Sequence, residues 1–236
     1  MPIGQPVHHD NLYGQRRPIP RLFTDMKPCQ PFLPVLALCF VMISTATAEV
    51  PKPSRHDRPQ ILQGNLQEGE TAPDFTLQDI AGKKSVKLSS LKGKPTVLIF
   101  GSCTCPRFVA TMQMNEQLYK TYADRVHFYL IYVREAHPID GWALLSNPFQ
   151  IRSPQSIEER CKVAVAFHHK LKVTMPVLVD ALDDLVEKNY ACWPNRMYIL
   201  DAQGKIVEKA SAGPNSVEIS ARKAAAILDK LLADTK

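Results

Sequence analysis

The sequence predicts an α/β fold in which helices flank a mixed central β-sheet. Three observations predict this class. Residues 96–100 form an apolar, β-rich run without polar alternation, as expected for a strand covered on both faces. A helical spacing of apolar side chains follows this run, and the chain ends with a hairpin signal and a further helical segment. Strands that alternate with helices indicate layers of helices against a sheet.

The predicted strand at residues 96–100 leads through a short loop to a helix that begins at Pro106. Proline suits the first helical turn because its fixed φ matches a helix and its missing N–H would have no partner there. Apolar side chains then recur at a helical period, at Phe108, Met112, Tyr119 and Tyr122. Residues 126–133 predict the second strand of the sheet.

The C-terminal half supplies the remaining elements. The stretch SIEE resembles a capping box and opens a predicted helix over 156–171. Residues 176–180 predict a third, short strand. The segments 197–200 and 205–208 flank the sequence DAQG and predict a β-hairpin, and a closing helix is expected over about 216–232.

The N-terminal part has the features of a secretory signal. The apolar core at 32–43 is too short and too interrupted for a membrane span, and Ala46-Thr47-Ala48 has the small-x-small pattern of a signal-peptidase site. We therefore expect residues 1–48 to be an N-terminal extension and signal peptide, and the mature chain to be secreted or periplasmic. The alternative is a retained N-terminal membrane anchor.

The remainder is predicted to comprise a polar, proline-containing linker at 49–67 and one folded domain at 68–236. After residue 48 the chain has 25 basic and 21 acidic residues, and no Lys/Arg stripe is interleaved with aromatic residues. This composition does not indicate a nucleic-acid-binding surface. The four cysteines of this part are far too few for a disulfide scaffold.

The stretch FGSCTCPRF places two cysteines where the first strand meets the following helix. Cys105 precedes Pro106 and is expected at the helix N-cap, where backbone N–H groups and the helix dipole favour a thiolate and lower the pKa. Cys105 is therefore the predicted nucleophile, and Cys103 the resolving thiol. Two alternatives are inert buried thiols and a zinc site with Cys161 and Cys192, although zinc motifs usually separate cysteines by two or more residues.

Several separated segments resemble thioredoxin-fold redox proteins with a peroxiredoxin-like framework. A peroxiredoxin would carry Pro-x-x-x-Thr-x-x-Cys and a thioredoxin Cys-x-x-Cys, and this chain has neither. Instead, GSCTCPRF is similar to the Gly-Ser-Cys-Thr-Sec-Pro-Pro-Phe segment of the iodothyronine deiodinase family, and EAHPIDGW is similar to its Glu-Ala-His-x-x-Asp-Gly-Trp segment. IEERC, VLVDALDD and WPNRMYIL extend the resemblance in the same order.

The resemblance implies a fold and a set of site residues. The fold is thioredoxin-like with a deiodinase-type insertion at about 134–154, and Cys105 stands where the family has selenocysteine. Glu135 and His137 match the acid and the histidine beside the reacting atom, and Arg196 matches an arginine that holds the substrate. The substrate-binding set implied in this way is Arg196, Ser102, Thr104 and Trp142.

Physical chemistry is consistent with these roles. Removal of iodine from a phenol ring needs a soft nucleophile and a proton donor, and histidine titrates in the useful range. His137 follows the strand at 126–133, and in a parallel sheet the loops after strand ends gather on the side where Cys105 emerges. Open alternatives are a packing role for Trp142, a loop-stabilising role for His137 and a thiolate-stabilising role for Arg196.

This chain also departs from the family pattern. Cysteine replaces selenocysteine, Arg107 replaces the second proline, and Pro154 stands where vertebrate members carry a histidine. A Cys103–Cys105 disulfide would close a very small, strained ring. Cys192, two residues before Pro194, is therefore an alternative resolving thiol.

The predicted function is a thiol-dependent reductive dehalogenase of the iodothyronine deiodinase type, which acts on a halogenated phenol or iodothyronine-like substrate. No bound cofactor or metal is expected, because an external thiol or a thioredoxin-like protein would supply the electrons. A homodimer is possible. The alternative function is a thiol peroxidase or thiol-disulfide oxidoreductase that uses the same cysteines, and a third is a non-enzymatic redox sensor. A ring-sized pocket walled by residues 134–154 would favour dehalogenation.

Overall fold

The computed structural model describes residues 59–144 and 146–234 and contains one seven-stranded sheet. The strands are β1 (Thr76–Asp79), β2 (Ser85–Lys87), β3 (Thr96–Gly101), β4 (His127–Tyr132), β5 (Val177–Val179), β6 (Arg196–Leu200) and β7 (Ile206–Lys209). The helices are α1 (Pro106–Tyr122), α2 (Ile157–Leu171), α3 (Leu185–Tyr190) and α4 (Ser216–Ala233), with a 3-10 helix at Leu88–Leu91.

The sheet is mixed, as the sequence predicts. Its strand order is β2-β1-β5-β4-β3-β6-β7. The central strands β3, β4 and β5 run parallel, whereas β6, β7, β1 and β2 are added antiparallel at the two sides. The predicted helix that begins at Pro106, the capped helix α2, the DAQG hairpin and the closing helix are all confirmed.

Alternation along the strands divides the buried residues into two cores. Val97 and Ile99 of β3 face the first core, together with residues of α1, α2 and α4. Leu98 and Phe100 face the second core, which α3 covers. Because successive side chains of a strand point to opposite faces, the continuous apolar run predicted at 96–100 serves both cores.

The prediction that residues 49–67 form a linker is wrong for residues 59–67, the part that the structure describes. Ile61 packs against the first core and Leu66 against the second. Lys209 Nζ donates to the carbonyls of Gly64 and Leu66 at 3.2 and 2.7 Å. This segment, the strap of residues 59–66, therefore belongs to the folded domain, and its polar, proline-containing composition concealed its few apolar anchors.

The predicted signal peptide and residues 49–58 lie outside the described residues. Within residues 59–144 and 146–234, no helix is long and apolar enough to cross a membrane.

The register of β3 and β4 positions the loops that carry the cysteines and the predicted acid. The two strands are parallel, and Gly101 pairs with Tyr132 at their carboxyl ends. The segment at 102–105 and the segment at 133–137 therefore leave the sheet side by side, as the sequence predicts for loops at the same edge of a parallel sheet.

Candidate active site

Cys105 is the N-cap of α1, as predicted. Its φ of −90° and ψ of 103° are extended, and α1 begins at Pro106 immediately after it. The Cys105 carbonyl accepts a hydrogen bond from Val109 N–H at 3.0 Å, and its own N–H donates to the Ser102 carbonyl at 3.1 Å. Two hydrogen bonds thus fix the backbone of the predicted nucleophile.

The expectation that Cys105 has a lowered pKa is wrong. The residue is only 2% exposed, and its burial raises the pKa of the thiol above its ordinary value. Hydrogen bonds from the backbone of Phe108 and Arg107 and from the Asn195 side chain act in the opposite direction and stabilise the thiolate. The helix start therefore has the predicted effect, but desolvation outweighs it.

Glu135 is the centre of a buried hydrogen-bond network. Thr104 Oγ1 donates to its Oε2 at 2.5 Å, and Tyr132 Oη donates to its Oε1 at 2.5 Å. Thr104 N–H also donates to Oε2 at 3.2 Å. Burial raises the pKa of the Glu135 carboxyl, and the hydrogen bonds from Thr104 and Tyr132 oppose that rise. The donors are arranged to hold the ionised carboxylate.

Cys103 completes this network and differs from Cys105 in its electrostatic surroundings. Its Sγ lies 3.8 and 4.0 Å from the Glu135 carboxylate oxygens, and its N–H donates to Tyr132 Oη at 3.2 Å. Burial, followed by the negative charge of Glu135, raises the pKa of the Cys103 thiol. Cys103 is held as a thiol beside a proton acceptor, whereas Cys105 faces hydrogen-bond donors.

Ser102 and Thr104, implied as substrate-binding residues, are placed differently. Both are fully buried. The Ala136 N–H donates to Ser102 Oγ at 3.1 Å and to Thr104 Oγ1 at 3.0 Å, and His137 N–H donates to Thr104 Oγ1 at 3.1 Å. These two buried hydroxyls therefore join the two loops, and Thr104 Oγ1 also donates to Glu135.

His137 and Trp142 form a contact pair on the predicted insertion. Their rings are 4.3 Å apart between centroids, and His137 Nδ1 lies 2.9 Å from the Trp142 carbonyl oxygen. A carbonyl only accepts, so Nδ1 carries a hydrogen and Nε2 is the nitrogen that takes up or releases a proton. Because the His137 backbone also binds Thr104, the imidazole is fixed relative to the cysteine loop.

Arg196, implied as a substrate-holding residue, is placed elsewhere, and that prediction is wrong. In the sheet register it pairs with Phe100, so its side chain belongs to the face of the second core. The guanidinium is fully buried and donates to the carbonyls of Leu62 and Gln63 at 2.8 Å each. It anchors the strap and is not among the donors to Cys105, which also removes the predicted thiolate-stabilising alternative.

Cys192, the alternative resolving thiol, is also misplaced for its predicted role. It is fully buried in the second core, whereas Cys103 and Cys105 belong to the first. Burial raises the pKa of the Cys192 thiol well above its ordinary value. Pro194, two residues after Cys192, follows a cis peptide bond.

Three residues of the network escaped the sequence analysis. Tyr132 ends β4 and connects Glu135 to Cys103, and Asn147 donates to the Thr104 carbonyl at 2.6 Å. Asn195 Nδ2 donates to Cys105 Sγ at 3.3 Å. Sequence signals for two of them existed. Tyr132 alternates with the inward-facing Leu130, and Asn195 directly follows Pro194.

No group of histidine, cysteine, aspartate and glutamate residues in the described part of the chain has the geometry of a metal site. Cys103, Cys105, Cys161 and Cys192 are free thiols. Cys161 lies on α2, and Cys192 lies in the second core, so the cysteines are not gathered into the zinc site considered from the sequence.

Comparison with known proteins identifies the family. The model of the iodothyronine deiodinase family matches residues 51–231. The chain belongs to the iodothyronine deiodinase family. Its match to the type I iodothyronine deiodinase of Xenopus laevis is 34% identical over 147 residues, which are 62% of this chain and 57% of the relative. A thyroxine 5-deiodinase of Sparus aurata is 31% identical over 154 residues, 64% of this chain and 57% of that protein.

Solved structures support the thioredoxin-like fold of this deiodinase-family chain. A candidate protein disulfide isomerase from Bacteroides thetaiotaomicron has a TM-score of 0.53 and 24% identity, with 72% of this chain and 95% of that chain covered. A candidate thiol:disulfide interchange protein from Chlorobium tepidum has a TM-score of 0.51 and 19% identity, with 70% of this chain and 99% of that chain covered. At these identities the similarity establishes the fold alone, and the predicted α/β fold class is confirmed.

Proposed function

We propose that this chain is a thiol-dependent reductive dehalogenase that removes iodine from phenolic rings, with Cys105 as nucleophile and Cys103 as resolving thiol. The observation that carries this proposal is the electrostatic asymmetry of the two thiols. Cys105 Sγ accepts a hydrogen bond from Asn195 at the start of a helix, whereas Cys103 Sγ faces the Glu135 carboxylate. Family membership and the names of the relatives support the same reaction.

The reaction balances with these residues. The Cys105 thiolate attacks iodine, the electron pair of the carbon–iodine bond passes to the ring carbon, and that carbon takes a proton. Cys105 is left as a sulfenyl iodide. Cys103 then attacks the Cys105 sulfur, expels iodide and gives its proton to Glu135, so that a disulfide forms. An external dithiol reduces this disulfide, and the sum is aryl iodide plus two thiols to arene, disulfide and hydrogen iodide.

His137 is the proposed proton donor to the ring carbon. Its Nδ1–H is bound to the Trp142 carbonyl, so Nε2–H of the imidazolium is the group that can give up a proton. The backbone contact of His137 with Thr104 fixes the ring beside the cysteine loop. General acid help of this kind is typically worth about 10² to 10⁴ in rate.

A cleft beside this network provides room for the substrate ring. It has a volume of about 420 Å³, and its walls include Pro138, Trp142 and Pro154 of the insertion. Arg134 lines it as well and is 39% exposed at the side chain. Since Arg196 is buried against the strap, Arg134 is the better-placed arginine for a carboxylate or phenolate of the substrate.

The burial of Cys105 separates this function from protein-disulfide exchange. A sulfur that is 2% exposed does not present an open face to another protein's disulfide. A halogenated ring is small enough to enter the cleft, which Glu135 and Ala136 line, and it reaches Cys105 when the loop at 102–105 moves. We therefore infer that an external small thiol or a thioredoxin-like protein acts only on the Cys103–Cys105 disulfide after the loop has rearranged. The signal-like pattern of residues 1–48 supports a separate inference, that the mature chain works outside the cytoplasm.

The decisive experiment uses protein that begins at Glu49, with dithiothreitol as reductant. Iodide release from iodinated phenols is compared with consumption of hydrogen peroxide. We expect iodide release to depend on Cys105, so Cys105→Ser abolishes it. Cys161→Ser, which changes a partly exposed cysteine on α2, is the matched control and keeps full activity. Peroxide consumption without iodide release would refute dehalogenation and favour the thiol peroxidase.

The order of the two thiols has its own test. After one equivalent of substrate, Cys103→Ser should retain a single turnover and carry an adduct on Cys105, which peptide mass spectrometry detects. Recycling should be lost, because the resolving thiol is absent. An adduct on Cys103 in the converse variant, Cys105→Ser, would reverse the assignment.

A further inference from the structure

The side chain that contacts the Cys105 sulfur is Asn195, the first residue after the cis proline. Asn195 is 1% exposed. Its Oδ1 accepts the backbone N–H of Val217 near the start of α4 at 3.3 Å, and its Nδ2 also donates to the Pro214 carbonyl at 3.2 Å. Because the Val217 N–H can only donate, the amide oxygen must lie on that side. The amide nitrogen is thereby directed at the sulfur.

The surroundings of Cys105 make this single donor important. The other groups that favour its thiolate are backbone N–H groups of Arg107 and Phe108, at the start of α1. The charged side chain that acts on the sulfur is Glu135, and its negative charge acts against the thiolate. The structure thus surrounds the nucleophile with neutral donors, of which Asn195 is the one that a substitution can remove.

We propose that Asn195 is a catalytic residue whose side-chain N–H stabilises negative charge on the Cys105 sulfur. It acts at two points of the cycle. It stabilises the thiolate that attacks the halogen, and it stabilises the same thiolate when Cys105 is expelled from its disulfide by the external thiol. Both points belong to the cycle of the proposed function, whereas the stabilisation of the thiolate itself does not rest on it.

The test measures the pH dependence of Cys105 alkylation by iodoacetamide in a Cys103→Ser background, with peptide mass spectrometry to assign the site. Asn195→Ala should move the midpoint upward by about one pH unit, so that alkylation at a fixed pH below the midpoint slows about tenfold, as a lost hydrogen bond to a charged group predicts. Asn195→Asp keeps an acceptor for Val217 but faces the sulfur with a carboxylate. It should shift the midpoint at least as far.

Asn115→Ala is the matched control, because Asn115 is a fully buried asparagine of α1 whose amide donates to Thr111 and not to the sulfur. This control should leave the alkylation profile unchanged. If neither Asn195 variant moves the midpoint while both unfold at the wild-type temperature, the proposal is overturned. If Asn195→Ala does not fold, the isosteric Asn195→Asp decides alone, and an unchanged profile in that variant refutes the role.

Iodide release separates this inference from the proposed function. A shifted alkylation profile with reduced single-turnover iodide release supports both. A shifted profile in a protein whose unsubstituted form releases no iodide supports the role of Asn195 on the thiolate and overturns only the dehalogenase. A residue with a merely structural role would lower thermal stability without moving the midpoint.

Discussion

Gly101 ends strand β3 and packs against Phe108, a residue of the first core that lies three positions after Cys105. A Cβ placed on Gly101 would lie 2.4 to 2.6 Å from three atoms of the Phe108 ring. Carbon atoms in contact are about 3.5 to 4.0 Å apart, so in Gly101→Ala the ring must retreat by about 1 Å. Phe108 is fully buried and stacks on Phe167 with 5.9 Å between centroids, so little room is available.

The expected cost of Gly101→Ala is that of overpacking, about 1 to 3 kcal/mol, which corresponds to a loss of about 2 to 12 °C in thermal midpoint. Gly101 is not among the glycines with positive φ, so the backbone adds no strain and the cost is steric. Phe108 lies in the first turn of α1, three residues after Cys105. A displacement of the reacting sulfur by about 1 Å can lower turnover up to about 10²-fold.

The assay is a double-mutant cycle with Phe108→Leu, a smaller side chain that gives the new methyl group room. Thermal unfolding and Cys105 alkylation are measured for both single variants and the double variant. Gly101→Ala should be less destabilising in the Phe108→Leu background, by at least about 1 kcal/mol. An equal cost in both backgrounds, or an alkylation rate that Gly101→Ala leaves untouched, would show that this contact does not couple the strand end to Cys105.

Three further predictions follow from buried charges. Burial raises the pKa of Glu187 to about 7, so the free energy of unfolding should fall by at most about 3 kcal/mol as pH rises from about 4.5 to about 7. Glu187→Gln should remove this dependence, which urea titrations at pH 5 and 8 measure. Parallel pH profiles of the variant and the unsubstituted protein would contradict the prediction. Glu135→Gln removes the negative charge beside Cys103, so Cys103 alkylation at pH 8 should accelerate while iodide release falls; an unaltered Cys103 rate would argue against the charge effect. Arg196→Met releases the Leu62 and Gln63 carbonyls, so limited proteolysis should cut the strap of residues 59–66 faster, and unchanged cleavage would mean that other contacts hold the strap.

Local patterns predicted the elements that carry the chemistry. The apolar run at 96–100 and Pro106 located the strand end and helix start around Cys105, because both signals act within a few residues. Parallel strand order then placed Glu135 and His137 beside the cysteine loop. The strands β1 (TLQD) and β2 (SVK) were missed because each contains a single apolar residue and so shows no apolar run. The helix α3 was missed because it has only six residues.

The errors at the site have tertiary causes. The helix start at Cys105 suggested a lowered pKa, but the desolvation that raises it depends on residues far away in the chain. Arg196 was assigned to the substrate from the family resemblance, which does not reveal which face of the sheet the side chain occupies. A shift of one residue in register reverses that face, and the pairing with Phe100 commits the side chain to the second core.

The division of the thiols between the two faces of the sheet limits how this protein can be oxidised. A disulfide needs its two Cβ atoms within about 4.5 Å, whereas Cys192 is packed in the second core and Cys103 and Cys105 are packed in the first. Cys192 is thereby insulated from the sulfenyl iodide and the disulfide that the proposed reaction makes on the other face. A cross-link between Cys105 and Cys192 would require one of the two buried thiols to leave its core, so such a cross-link would record unfolding and not turnover.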